Sequence, residues 1–434
     1  MNELQTSKKV AFLTLGCKVN QYETEAMQEL FTNDGYEVVD HNEKADVYVI
    51  NTCTVTATGD KKSRQFIRRS KRLNPDALIA VVGCYSQISP DEVEAIDGVN
   101  LVLGTNNRNQ IVEYINGIED HGQMNKVQDI MAIKEFEEME IEAVKDKTRA
   151  FLKIQEGCNQ YCTYCIIPYA RGKVRSRALD NIIKEVNRLA KNGFKEVVLT
   201  GIHLGSYGLD LEAESLIDAI EATAAVEGIE RVRVGSLEPR SITDDFLKRV
   251  SKIKEFCPHF HLSLQSGSDT VLKRMKRRYT TDEYYESVVK IRQVFPDASL
   301  TTDIIVGFPL ETDEEFEETY EFVQKVNFHQ IHVFKYSIRE GTPAALMTQV
   351  DGGVKEKRSQ RLIARAEEME KKFLESFIGR TVDVLFETYE NFKATGHTKH
   401  YINVSAPAGK DMGGHIQSIK IVAVDSKKLT GKIE

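Results

Sequence analysis

Six of the seven cysteines stand where a thiolate could do chemistry. The most compact group is Cys158-Asn-Gln-Tyr-Cys162-Thr-Tyr-Cys165, a C-x3-C-x2-C spacing. It follows the strand candidate Phe151–Gln155, so its loop falls at the C-terminal end of a predicted strand. Three thiolates on one short loop can each hold one iron of a 4Fe-4S cube, leaving the fourth iron without a protein ligand. An open coordination position is what a metal centre needs to bind and activate a substrate, as in open zinc sites. The competing reading is a zinc site that borrows His203 or His261. Closed zinc sites more often carry paired C-x2-C elements, which favours the cluster.

The second group is dispersed. Cys17, Cys53 and Cys84 each lie just past a predicted parallel strand, in Leu13-Thr-Leu-Gly-Cys17, Val49-Ile-Asn-Thr-Cys53 and Val81-Val-Gly-Cys84. The C-terminal ends of parallel strands line one crevice, so three thiols distant in sequence converge there. Gly16 and Gly83 leave room for close backbone approach. Any one of these cysteines alone reads as a buried inert thiol. All three at the same strand end point to a second three-cysteine cluster. Cys257 fits neither set and reads as a small core residue.

The remaining strand-end turns are small and polar: Thr200–His203, Ser236–Pro239, Gln265–Ser268 and Asp303–Gly307. Together they form a rim where an adenosyl cofactor could be hydrogen-bonded, with His203 a wall residue rather than a base. Three basic clusters add a polyanion signal: Lys61–Arg72, then Arg171, Lys173, Arg175 and Arg177, and finally Lys273 to Arg278. Two of them abut cysteine loops, which suggests a channel for the phosphates of RNA or for another polyanion rather than solvated helix faces.

The elements that must position these groups are alternating strands and helices. Residues 8 to about 118 read as buried strands (Val10–Leu15, Val47–Ile50, Ala77–Val82, Val99–Leu103) between helices, an open parallel sheet. An acidic stretch over 119–148, carrying Glu135, Glu137, Glu138, Glu140 and Glu142, reads as a solvated linker or edge hairpin. Six further βα units suggest a full or partial barrel, with strands Phe151–Gln155, Glu196–Thr200, Arg231–Ser236, His259–Leu264, Leu300–Val306 and Gln330–Lys335. Thr312 with Glu315 fits a capping box. A helix over Lys355–Phe373 precedes short strands with glycine turns, a small antiparallel barrel. The chain is thus α/β, and at 434 residues long enough for about three domains. With 27 Gly and 9 Pro it is neither collagen-like nor disordered. Its net charge of -8 excludes a uniformly basic nucleic-acid binder. An odd cysteine count without a signal peptide or a membrane-length apolar run points to a cytoplasmic protein without a disulfide framework.

With Tyr164 before its last cysteine, the C-x3-C-x2-C loop resembles that of radical S-adenosylmethionine (SAM) enzymes. The whole stretch from Gly157 to Gly172, with Asn51-Thr52-Cys53 and Gly83-Cys84, resembles the tRNA methylthiotransferase family along essentially the entire chain. Gly16-Cys17-Lys18-Val19-Asn20-Gln21-Tyr22-Glu23 is similar to the branch acting on N6-threonylcarbamoyladenosine. The isopentenyladenosine branch usually has Gln-Met at positions 18 and 19, and the ribosomal-protein branch Pro-Lys.

The resemblance implies an N-terminal, flavodoxin-like methylthiotransferase domain over 8–118, with an auxiliary 4Fe-4S cluster on Cys17, Cys53 and Cys84. An acidic linker (119–143) leads to a radical SAM core over 144–375, a partial (β/α) barrel with its cluster on Cys158, Cys162 and Cys165. A TRAM-like RNA-binding β-barrel closes the chain over 376–434. The implied cofactor contacts are Tyr164, Gly201, Glu238 and Gln265, although Thr200-Gly201-Ile202 stands where many radical SAM enzymes have Gly-Gly-Glu. The implied chemistry replaces the C2 hydrogen of a modified adenosine 3′ of the anticodon by a methylthio group, using one SAM for the methyl and another for an adenosyl radical. Implied partners are a tRNA anticodon stem-loop, an electron donor and a sulfur source, with no membrane. The alternatives are methylthiolation of isopentenyladenosine or of a ribosomal protein, and a zinc-stabilised RNA-binding protein without catalysis.

Overall fold

The computed structural model describes residues 7–55, 57–118, 122–139 and 148–433. The chain divides into two compact units: residues 1–144, 153–177 and 337–345 form the first, and 145–152, 178–336 and 346–434 the second.

The first unit is built on a parallel sheet of strands β1 (Lys9–Thr14), β2 (Glu37–Val39), β3 (Val47–Thr52), β4 (Leu78–Gly83), β5 (Leu101–Val102) and β6 (Met124–Asn125), in the order β2-β1-β3-β4-β5-β6. The near-continuous apolar runs predict burial on both faces, and β3 is buried along its whole length. Side chains alternate between faces. Val49, Ala80 and Val82 pack with Met27, Phe31, Ile111 and Ile115 on one side. Ile50, Ile79 and Val81 pack with Ile67, Tyr85 and Val93 on the other. Each Val, Ile, Met or Phe side chain among them removed from water contributes about 1.5–3 kcal/mol. Strand β6 comes from the stretch read as a linker, and Glu137 is buried rather than solvated. Glu140 and Glu142 lie outside the described residues. The chain re-enters this unit at Lys153 on β7 (Arg149–Glu156) and carries the Cys158 loop, a helix over Ile167–Arg171 and β8 (Arg175–Ser176), antiparallel to β7.

In the second unit β9 (Glu196–Gly201) pairs in parallel with β10 (Arg231–Val234). A separate parallel set runs β11 (Ser236–Leu237), β12 (His259–Leu262), β13 (Ser299–Val306) and β14 (Gln330–Lys335). The single strand expected over Arg231–Ser236 therefore breaks at Gly235, whose N–H still bonds Leu199 O at 2.9 Å while the chain passes to the next sheet. Helices cover these strands, and Thr312 and Glu315 form the expected capping box. A helix over Gly352–Glu375 leads to a closed five-stranded barrel of β15 (Thr381–Glu390), β16 (Lys393–Thr398), β17 (Asn403–Pro407), β18 (Ile416–Asp425) and β19 (Lys428–Ile433), ordered β15-β16-β17-β19-β18.

This small barrel sits on the N-terminal ends of the parallel strands. Arg231, the first residue of β10, donates to His397 O at 2.8 Å and Asp383 O at 2.9 Å. Arg233 donates to Lys399 O at 3.0 Å and to Glu196 at 2.8 Å, and its guanidinium lies 4.8 Å from the Tyr401 ring. His259, the first residue of β12, stacks on the same tyrosine at 5.0 Å.

Candidate iron-sulfur and cofactor-binding site

Strands β1, β3 and β4 deliver Cys17, Cys53 and Cys84 to one place. Gly16 is at φ 108°, and a Cβ there would meet Cys53 Cβ at 2.8 Å and its Sγ at 3.0 Å. Gly83 is at φ 99°, and a Cβ there would meet Asn51 Oδ1 at 2.6 Å and Thr52 O at 2.7 Å. Asn20, on the helix that starts just after Cys17, ties the loops together. Its amide donates to Leu15 O at 2.8 Å and Thr52 O at 2.9 Å, and its Oδ1 accepts from Cys17 Sγ at 3.6 Å. Burial pushes the Cys84 thiol up to about 12, Arg171 opposes, and Cys53 and Cys17 add to the rise. Burial raises Cys53 as well. Metal loading of such thiols must release their protons.

The Cys158 loop is shaped by its backbone. Gly157 is at φ 72°, and a Cβ there would fall 1.8 Å from Lys173 O. Cys158 N–H bonds Gly172 O and Cys165 N–H bonds Cys162 O, both at 3.0 Å. Tyr161 adopts φ 49°, a left-handed conformation that lets the chain double back between Cys158 and Cys162. Its ring meets Tyr169 edge-on at 5.8 Å. Cys158 and Cys162 are buried, whereas Cys165 and Tyr164 are half-buried. Among the described residues no three cysteine sulfurs lie within 4.8 Å of one another. A zinc ion with ~2.3 Å bonds to sulfur needs tetrahedral ligands about 3.8 Å apart. Both sets could instead hold a larger inorganic core such as a 4Fe-4S cube.

Between the two sets lies a buried ionic network that sequence reasoning missed. Arg171, at the end of the helix following Cys165, contacts Glu156 at 2.6 Å, Asn20 Oδ1 at 2.7 Å, Cys84 Sγ at 3.2 Å, and Glu23. Arg108 pairs with Glu23 at 2.5 Å and Glu137 at 2.6 Å, and Lys153 with Glu156 at 3.0 Å. Burial alone would raise the Glu156 carboxyl, but Lys153, Arg171, Arg108 and Arg175 hold it well below the usual range. The available signal was Lys153 and Glu156 in a strand that also carries Ala150, Phe151, Leu152 and Ile154.

The network corrects one reading of charge. Arg171, Arg175 and Arg177 are at most 1% exposed, so of this cluster only Lys173 is exposed to solvent. The first basic cluster does offer a surface: Arg64, Arg68, Arg69, Lys71 and Arg72 line an open groove of about 1090 Å³ on the Ala57–Leu73 helix. The third is divided. Arg274 and Arg277 pair with Glu315 and Glu238, while Lys273, Lys276 and Arg278 are exposed.

In the second unit, Gly201 ends β9 and is half-buried. Glu238 is buried, with Arg277 at 2.6 Å and His203 at 3.2 Å. Burial would raise its carboxyl, but His203 and Arg277 keep it low. Gln265 is held at φ 69° by ladder bonds to Asp303 and Ile305, both 2.9 Å. A non-glycine residue in that region costs of order 1–3 kcal/mol, and such strain gathers at ligand sites. His261 lies 3.0 Å from Thr301 and 3.4 Å from Asp303, with His332 on the adjacent strand. Neither His203 nor His261 belongs to the unit that carries the cysteine sets.

Comparison with known proteins matches this arrangement. The radical SAM superfamily model covers residues 152–323, and the model described as uncharacterized protein family UPF0004 covers 9–104. The threonylcarbamoyladenosine tRNA methylthiotransferase MtaB of Bacillus subtilis is 47% identical, over 95% of this chain and 93% of its own. The protein of that name from Aquifex aeolicus is 40% identical, over 93% and 98%. A tRNA-2-methylthio-N(6)-dimethylallyladenosine synthase from Clostridium botulinum is 36% identical with both chains covered throughout. Among solved structures, the radical S-adenosylmethionine methyltransferase TsrM of Kitasatospora setae, with cobalamin and a [4Fe-4S] cluster bound, shares the fold. Its TM-score is 0.59 at 15% identity, over 79% of this chain and 77% of that one. No helix among the described residues is long and apolar enough to cross a membrane. The chain belongs to the radical SAM tRNA methylthiotransferase family, and its similarity to the threonylcarbamoyladenosine branch exceeds its similarity to the dimethylallyladenosine branch.

Proposed function

We propose that the protein replaces the C2 hydrogen of N6-threonylcarbamoyladenosine at position 37 of tRNA with a methylthio group. One observation carries this reading: the two three-cysteine sets lie in one compact unit, linked through Arg171, in a chain 47% identical to an enzyme named for that modification. Cys158, Cys162 and Cys165 would hold one 4Fe-4S cluster, and Cys17, Cys53 and Cys84 the other. When bound, the first supplies the electron that cleaves SAM and the second the site from which sulfur is delivered. Tyr164, Gly201, Glu238 and Gln265 would orient SAM. Residues 8–118 would serve as the sulfur-presenting domain, 144–375 as the radical core and 376–434 as an RNA-gripping barrel, with 119–143 a connection whose strand β6 also extends the first sheet. The reaction also needs an electron donor and a sulfur source, and its tRNA substrate places it in the cytoplasm.

Lys18 favours the threonylcarbamoyl substrate. That group carries a carboxylate, whose desolvation must be offset by a cation or amide donors, whereas an isopentenyl group calls for apolar lining. Lys18 directly follows Cys17 and opens the helix over Lys18–Asn33. The test is conversion of anticodon stem-loops by reconstituted enzyme, SAM and a strong reductant, read by nucleoside mass spectrometry. Stem-loops with N6-threonylcarbamoyladenosine should be methylthiolated, and those with isopentenyladenosine should not. Conversion of the isopentenyl substrate alone would overturn the substrate assignment.

A further inference from the structure

Among the described residues, the buried network of the first unit gathers more cations than carboxylates. Four cations, Arg108, Lys153, Arg171 and Arg175, face three carboxylates, Glu23, Glu137 and Glu156. All but Glu137 are at most 1% exposed, and Glu137 is 7% exposed. An excess buried cation is costly unless an anion compensates it. The atom positioned to do so is a sulfur: Arg171 Nε donates to Cys84 Sγ at 3.2 Å. Nη2 of the same guanidinium donates to Asn20 Oδ1 at 2.7 Å. Asn20 in turn reaches Cys17 Sγ and the carbonyls of Leu15 and Thr52, the latter next to Cys53. One planar fork therefore touches the frame of all three auxiliary cysteines.

That fork is also fixed to the other cysteine set. Arg171 closes the helix over Ile167–Arg171, the first helix after Cys165. Glu156, which it contacts at 2.6 Å, lies two residues before Cys158. Thr105 holds the same helix through a 2.6 Å bond to Ala170 O. Lysine could not substitute, because its ammonium is a point charge without two divergent donor edges.

We propose that Arg171 is a positioning residue that, by its N–H···S bond and charge at Cys84, raises the reduction potential of the auxiliary iron-sulfur site. This rests on the two-cluster reading above. A donor to a ligating sulfur and a nearby cation both favour the more electron-rich state of a cluster. The residue thus sets how readily the sulfur-delivering site accepts an electron, and ties that site rigidly to the loop where SAM is cleaved.

The test uses the full chain with Cys158, Cys162 and Cys165 replaced by Ala, so that only the auxiliary site binds iron. Its midpoint potential is followed by EPR during a redox titration. Two versions are compared with this parent: Arg171→Lys, and Arg171→Gln with Glu23→Gln, which keeps the net buried charge unchanged. Both should retain the iron but become harder to reduce. The ratio of reduced to oxidised cluster at fixed poise should fall by roughly tenfold in the double variant, equivalent to 59 mV for a one-electron couple. If the double variant does not fold, Arg171→Lys alone should still show a lowered midpoint. Iron retained with an unmoved midpoint and unchanged EPR signal overturns this inference alone. A parent that binds no iron overturns it together with the two-cluster reading.

Discussion

Gly157 shows how tightly one backbone position constrains the Cys158 loop. Its φ of 72° suits glycine, and any Cβ would collide with Lys173 O. Gly157→Ala should therefore destabilise the loop by about 1–3 kcal/mol. The measurement is iron content after anaerobic reconstitution. The radical SAM site should load poorly while the Cys17, Cys53 and Cys84 site keeps its iron; full loading of both would refute the strain argument. At this scale the cysteines were legible because residue type and spacing within a short loop already state the chemistry. Arg171 and Arg175 were not. Their sequence shows only charge, and charge on a loop looks the same whether it faces phosphate or a buried glutamate. The deciding fact was the contact with Glu23, 148 residues away in sequence.

Elements were legible where the pattern is local. Strands β3, β4, β13 and β14 follow from apolar runs within a residue or two of their ends. Strand β19, Lys428-Leu-Thr-Gly-Lys-Ile433, was missed because only Leu429 is a large buried side chain, although it forms a tight antiparallel hairpin with the preceding β18. The break at Gly235 was missed because a change of sheet leaves the apolar pattern intact. Two predictions belong here. Reversing Arg68 and Arg69 to Glu alters the basic groove on the Ala57–Leu73 helix. It should weaken tRNA binding at least tenfold in low salt and flatten its salt dependence, as counterion release requires; unchanged affinity would return these arginines to a solvated role. The second concerns His329, which bonds Ser299 Oγ at 2.6 Å and stacks on Phe373 at 4.3 Å. Burial, with His400 nearby, lowers its pKa to about 3. An unfolded histidine titrates near ~6.5, so between these values the unfolded chain takes up a proton that the folded one refuses. The contribution is complete above that pH and drains as pH falls toward 3, by up to about 1.4 kcal/mol per pH unit. Urea midpoints should fall as pH drops from neutrality to about 5 and should fall less in His329→Gln; equal slopes would contradict this.

At the scale of the whole molecule, the seat of the small barrel bears on the RNA-gripping role proposed for it. Arg231, Arg233 and His259 fasten it to the strands' N-terminal ends, whereas Gln265 and Gly201 stand at the opposite ends. Strand β13 alone has eight residues, which at 3.2–3.4 Å each is roughly 26 Å. With the barrel gripping RNA as proposed, the strands would act as a ruler. A substrate held at both ends must be at least that long, which a free nucleoside is not and an anticodon stem-loop is. Catalytic efficiency should fall steeply once the stem is trimmed below this span, through a rising KM, even with the modified adenosine and its loop intact. Equal kcat/KM for a trimmed loop and a full stem-loop would mean that only one end is read. The enzyme would then choose its adenosines by length as well as by chemistry, and the same modification on a fragment of degraded tRNA would escape it.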